Sequence, residues 1–167
     1  MQLIRCTQKL LKELGQEPTN IVPIKSFLGS WHANLLLVER HKCVLATNDS
    51  TLYTIFIPYL KKAEFEAFHL IFNENLYKNL IFEGFTEKQI EAILNEYQDI
   101  KYAKTNNRSV LGSMNDMKSQ LKFHIQMSGG LKSTDIFELN HRLNRTIFGA
   151  IQYKHPIELL RVKICNS

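Results

Sequence analysis

The apolar and polar positions change period several times along the chain. Residues 2–7 form a short, mostly apolar run that reads as a strand. Thr7 is placed to cap a helix in which Leu10, Leu11 and Leu14 share one face and Gly15 supplies a stop. Residues 16–30 contain Pro18, Pro23 and Gly29 with no sustained period, which predicts a loop. From 31 to 57 the period shortens. Residues 31–38 and 43–48 flank the polar stretch Glu39-Arg40-His41-Lys42, a hairpin signal. Asn48-Asp49-Ser50 then turns into 51–57, where Tyr53, Ile55 and Ile57 alternate with Thr54 and Phe56. The pattern predicts three antiparallel strands in a meander. Leu35-Leu36-Leu37-Val38 is apolar on both faces, so helices should cover part of the second side.

Beyond Pro58 the period lengthens again. Residues 61–82 read as helix, with a break expected near Asn73, and Phe65, Phe68, Leu70, Phe72, Leu76, Leu80 and Ile81 supply the core face. Thr86-Glu-Lys-Gln89 has the spacing of a capping box, and Ile90, Ile93, Leu94 and Tyr97 follow on one side. Residues 99–104 suit a return to the sheet. Residues 105–108 read as a loop, with Ser109 placed to cap a helix carrying Val110, Met114, Met117, Leu121 and Ile125. Ser128-Gly129-Gly130 ends that helix. Residues 135–144 make another, supported by Glu138 and Arg142 at an i, i+4 spacing. Residues 148–153 suit no single element, and Pro156 opens a last helix over 157–162. The expected architecture is α+β: an antiparallel meander of about three to five strands covered by several helices, in one domain over 1–167.

Composition narrows the class. With 167 residues, 44% hydrophobic and 22% charged, the chain has enough apolar material for a core without disulfides or metal. Cys6, Cys43 and Cys165 are too few and too far apart for a disulfide framework or a zinc cluster. No run approaches the roughly 18 apolar residues of a membrane span, and the first residues do not read as a signal peptide. A cytoplasmic setting, no membrane association and no cofactor or metal are the expectations. Charge adds more. Residues 1–100 carry 10 Lys/Arg against 12 Asp/Glu, whereas residues 101–167 carry 11 against 4. That asymmetry favours a phosphate-bearing partner at the second half.

Three polar clusters are candidates for chemistry. The densest is Thr105-Asn-Asn-Arg-Ser-Val-Leu-Gly-Ser-Met-Asn-Asp116, which joins a predicted strand to a helix start, where free N–H groups attract anions. Arg108 and Ser109 would add a forked cation and a hydroxyl, and Asn115 and Asp116 lie one to two turns on. Gly112 would allow close backbone approach or packing. The second is Asn140-His-Arg-Leu-Asn-Arg-Thr146, in which Arg142 and Arg145 suit phosphate, or simply a helix C-terminus. The third is Trp31-His-Ala-Asn34, where His32 is a weak candidate acid or base and otherwise a hydrogen-bonded edge residue. Arg5, charged in an apolar strand, faces solvent, a carboxylate or a site at the sheet's end.

Several of these segments also resemble one known family. They are the N-terminal Ile4-Arg-Cys-Thr with Lys9-Leu-Leu, Leu28-Gly-Ser-Trp-His-Ala-Asn-Leu-Leu36, the Lys42-Cys-Val-Leu45 run after Arg40, residues 105–116, and Leu143-Asn-Arg-Thr146. Together they resemble a family of small prokaryotic proteins classed as a domain of unknown function. The family pattern often has Pro after Thr146, where this chain has Ile147, leaving the turn there open. The resemblance implies one shared fold and no reaction. The functional expectation is therefore drawn from charge and position: binding of a nucleic acid or nucleotide through Arg108, Ser109, Asn115, Asp116, Arg142 and Arg145. The alternatives are a non-catalytic interaction module, antitoxin-like or scaffold, with a protein partner, and a metal-independent nuclease or hydrolase using His32.

Overall fold

The computed structural model describes residues 1–20 and 25–166. Pro23 and the middle of the predicted 16–30 loop lie outside the described residues. Five strands form one mixed sheet: β1 (Gln2–Cys6), β2 (Trp31–Val38), β3 (His41–Asn48), β4 (Thr54–Ile57) and β5 (Ile100–Lys104), in the order β4-β3-β2-β1-β5. The β2–β3–β4 part is the expected antiparallel meander. The sheet as a whole is not antiparallel, because β1 runs parallel to both β2 and β5. The cause is the helix α1 (Gln8–Leu14) between the first two strands, since a helical crossover returns the chain in the same direction.

Both faces of the sheet are covered. On one side Ile4, Trp31, Val44 and Ile55 pack against α1, α2 (Lys62–Glu66), α3 (Phe68–Phe82), α4 (Glu87–Leu94) and α7 (Pro156–Cys165). On the other, Leu36, Cys43, Leu45 and Phe56 meet α5 (Arg108–Met127) and α6 (Ile136–Leu143). This is why the β2 run is apolar on both faces.

Local chemistry sets most element ends. Thr86 and Gln89 form the predicted capping box, and Gly15 ends α1 at a φ of 63°. Asn107, not Ser109, caps α5, its Oδ1 accepting the N–H groups of Ser109 and Val110. Thr7 stands at the α1 cap position, but its hydroxyl donates to Asn34 Oδ1 instead. The helix expected over 61–82 breaks at Ala67 rather than Asn73, whose amide is spent on Tyr97 O of the neighbouring segment. Leu70 and Ile81, expected in its core face, are exposed, because Phe68, Phe72, Leu76 and Leu80 set the buried stripe. The last helix runs three residues past its predicted end, to Cys165, and residues 148–153 form a short 3₁₀ turn, Gly149–Ile151. The β2–β3 turn has only two residues, Glu39 and Arg40, both at positive φ. That conformation disfavours ordinary side chains. It is held because the Glu39 carboxylate accepts the Leu131 N–H at 3.1 Å.

The two outer strands still need partners for their free edges. On β4, Asn144 accepts the Thr54 N–H (2.7 Å) and donates to Thr54 O (2.8 Å). One helical turn earlier, Asn140 accepts the Phe56 N–H (2.9 Å) and donates to Phe56 O and to Asn79. Two side-chain amides thus take the place of a sixth strand. On β5, the Thr19 N–H and hydroxyl both donate to Tyr102 O. Asn144→Ala would orphan two buried backbone groups, so we expect a loss of about 3 kcal/mol, at about 1–3 per unsatisfied group, measured by urea unfolding.

Candidate functional site

The parallel pair β1–β5 creates the position to examine. After β1 the chain enters α1 on one face of the sheet, and after β5 it enters α5 on the other. Adjacent parallel strands whose helices leave in opposite directions open a crevice at their carboxyl ends, where α/β sheets bind ligands. Two grooves occupy this crevice. One, of about 480 Å³, is lined by Arg5, Pro18, Thr19, Asn20, Ala103, Lys104, Thr105 and Asn106. The other, of about 710 Å³, includes Gln8, Lys9, Lys12, Glu17, Pro18 and Lys104. Pro18 and Lys104 line both.

The crevice is cationic. Among the described residues, none of Arg5, Lys9, Lys12, Lys104 and Arg108 is ion-paired with a carboxylate. Arg5 donates to Lys104 O at 3.2 Å, which holds its guanidinium across the two strand ends. The α5 start adds backbone donors. Asn106 N–H is taken by His32, and those of Ser109 and Val110 by Asn107. The intervening N–H groups of Asn107 and Arg108 have no acceptor among the described residues. Such donors at a helix start suit an anion.

His32 lies beneath this loop, fully buried. Its Nδ1 is 2.6 Å from Asp49 Oδ1, and Asp49 Oδ2 accepts the Ser30 hydroxyl at 2.5 Å. Its Nε2 accepts the Asn106 N–H at 3.3 Å. Both ring nitrogens are engaged inside the chain, which leaves none to exchange a proton with an external substrate. His32 is thus a hydrogen-bonded residue, as the alternative reading expected, but on the central strand β2 and not at a sheet edge.

The other sequence candidates do not converge. Arg108 and Ser109, close in the chain to the groove-lining Thr105 and Asn106 but not themselves among the lining residues, are exposed at the start of α5. Asn115 and Asp116 lie one to two turns along its solvent side. Arg142 lies on α6, which packs on β4 at the opposite edge of the sheet, and Arg145 follows just past its end. Arg142 is exposed and pairs with Glu138 at 3.6 Å. Arg145 makes a two-pronged bond to Glu83, at 3.0 and 2.7 Å, and Arg161 donates to the Glu83 backbone oxygen. The Glu83 side chain is only 2% exposed, and its hydrogen bonds are the main cause that raises the Arg145 pKa above its ordinary value. Arg145 is thus spent on a buried carboxylate, a role that nothing in the local sequence of Glu83 announces. A methyl group at Gly112 would meet nothing within 4 Å, so no element of the chain packs there.

Other reactive groups are quiet. Burial pushes the Cys6 and Cys43 thiols up, which keeps them protonated at neutral pH. Ser50 Oγ receives Lys163 Nζ at 2.9 Å, but its own proton has acceptors at Asn48 Oδ1 and Leu28 O. Among the described residues no three His, Cys, Asp or Glu side chains gather as metal ligands would, and no helix is long and apolar enough to cross a membrane.

The fold and crevice define an α+β protein, built on a mixed sheet, with a cationic cleft at a strand-order reversal. The chain belongs to the family described as a domain of unknown function, DUF6933, whose pattern matches residues 3–159. No curated protein and no solved structure matches it.

Two stability measurements separate the roles drawn here. Arg145→Ala should cost about 2 kcal/mol, less than a fully buried pair because the guanidinium is partly exposed, while Arg142→Ala should stay within about 0.5 kcal/mol. Gly112→Ala should stabilise the isolated protein by about 0.5–1 kcal/mol, read from the same denaturation curves.

Proposed function

We propose that this protein binds a phosphate-bearing ligand, a nucleotide or a nucleic acid, in the crevice at the carboxyl ends of β1 and β5. The observation that carries the reading is that Arg5 and Lys104, neither paired with a carboxylate, line one open groove together with Thr105 and Asn106, the residues that lead into the free N–H groups of Asn107 and Arg108 at the start of α5. A guanidinium and an ammonium on one concavity, with backbone donors next along the chain, match a phosphate group better than a neutral or cationic ligand. The cations come from both ends of the chain, so the basic second half supplies only part of the site. In this reading Ser109 is a flanking hydroxyl, and Arg142 and Arg145 are not ligand contacts.

A second reading, a non-catalytic interaction module, is favoured by one observation. Asn140, Asn144 and Arg145 make their hydrogen bonds inside the chain, as structural residues do. A proton-transfer role for His32 draws no support from its enclosed ring.

Calorimetric titration with orthophosphate, ADP and short RNA and DNA oligonucleotides tests the proposal. Arg5→Ala and Lys104→Ala should each weaken binding about tenfold, the worth of a charge-assisted hydrogen bond, and Arg142→Ala should leave it unchanged. Oligonucleotide affinity falling steeply with salt identifies a nucleic acid, and tight ADP binding identifies a nucleotide. Absence of binding across the panel overturns the proposal in favour of the interaction module.

A further inference from the structure

We infer that His32 is a positioning residue for the crevice: a buried, neutral imidazole that latches the loop presenting Asn107 and Arg108. The inference rests on the phosphate-binding reading of that crevice. It starts from what the two ring nitrogens face. A backbone N–H can only donate, so the nitrogen that meets Asn106 must carry no proton. Nε2 is therefore bare and the proton sits on Nδ1, where Asp49 Oδ1 accepts it at 2.6 Å. Asp49 is oriented in turn by the Ser30 hydroxyl on its other oxygen. The relay Ser30–Asp49–His32–Asn106 runs from the residue before β2, through the turn after β3, to the loop that opens α5.

The consequence lies in the residues after Asn106. His32 takes one N–H and Asn107 Oδ1 takes those of Ser109 and Val110, so the loop is held from both sides. The N–H groups of Asn107 and Arg108 lie between these holds. Arg5 of β1 and Thr47 of β3 are the register partners that flank His32 in the sheet. Its latch therefore lies beside the crevice's own cation. A side chain that only filled space there would need no second acceptor nitrogen.

The test uses the pair His32→Asn and His32→Gln in the full chain. An Asn amide reaches about as far as Nδ1 and can still meet Asp49, whereas a Gln amide oxygen reaches about as far as Nε2 and can accept from Asn106. Amide hydrogen exchange at Asn106 and titration with orthophosphate and ADP are measured on each folded variant. Asn should speed Asn106 exchange about tenfold and weaken the bound probe about fivefold to tenfold, as expected for one lost hydrogen bond. Gln should restore both to within about twofold despite a comparable loss of thermal stability. If the Asn variant does not fold, Asp49→Ala, which frees the ring at a partly exposed position, should reproduce its effects. Native-like exchange and affinity in the Asn variant, or equal defects in both variants, would falsify the latch while leaving the crevice reading intact. A wild-type chain that binds neither probe removes the crevice reading itself, and the inference falls with it.

Discussion

A sheet covered on both faces has to satisfy its backbone within its own layer, and that constraint organises this protein. Inner strands do so by pairing. The outer strand β4 does so through Asn140 and Asn144, whose spacing of four places both amides on the side of α6 that meets the strand. Once those amides are docked, α6 has little freedom to slide or rotate. Its end then delivers Arg145 to the buried Glu83, which closes α3 against the same corner. The polar residues of that corner make up one hydrogen-bonded assembly, and leaving any member unpaired costs more than the bond itself contributes.

The opposite edge is built under looser terms. Beside β5 Thr19 closes the strand, and the grooves open where the hydrogen-bonded layer ends. Cations there keep company with few carboxylates, whereas those at the β4 edge are neutralised. One sheet thus has a sealed margin and a receptive one. His32 joins them by way of the turn that follows β3, since its Asp49 partner belongs to the meander and its Asn106 partner to the receptive end.

Much of the fold was legible because period and punctuation are local properties. The meander, the capping box at Thr86 and the stop at Gly15 follow from neighbours within a few residues. The two-sided apolar pattern of β2 correctly implied two covering layers. Parallel pairing was less visible, since it depends on how α1 returns the chain and not on any residue in β1 itself. The candidate site was half legible. Arg108 was singled out by helix-start chemistry, and Arg5 by being out of place in an apolar strand. Lys104 and the His32 relay escaped because their partners are distant in the chain. Reading the strand–helix–strand order over 2–38 as a parallel crossover was the available signal for the crevice. Arg145 carried the same local signature as a phosphate-binding arginine, and only its contact with Glu83 separates the two roles.

The central place of β1 also bears on how the chain assembles. The Arg5–Lys104 contact spans 99 positions, while the β2–β3 hairpin zips from Val38↔His41 at its turn to Trp31↔Asn48 at its open end. Closing a long loop is entropically costly and slow compared with zipping a hairpin. The hairpins can therefore form early, but the crevice exists only after the residue-100 strand has found the first one. During synthesis the growing chain would emerge with its sheet margin unsealed and its cleft unmade. The cleft is thus a late product of folding, and its presence reports that the whole sheet has closed.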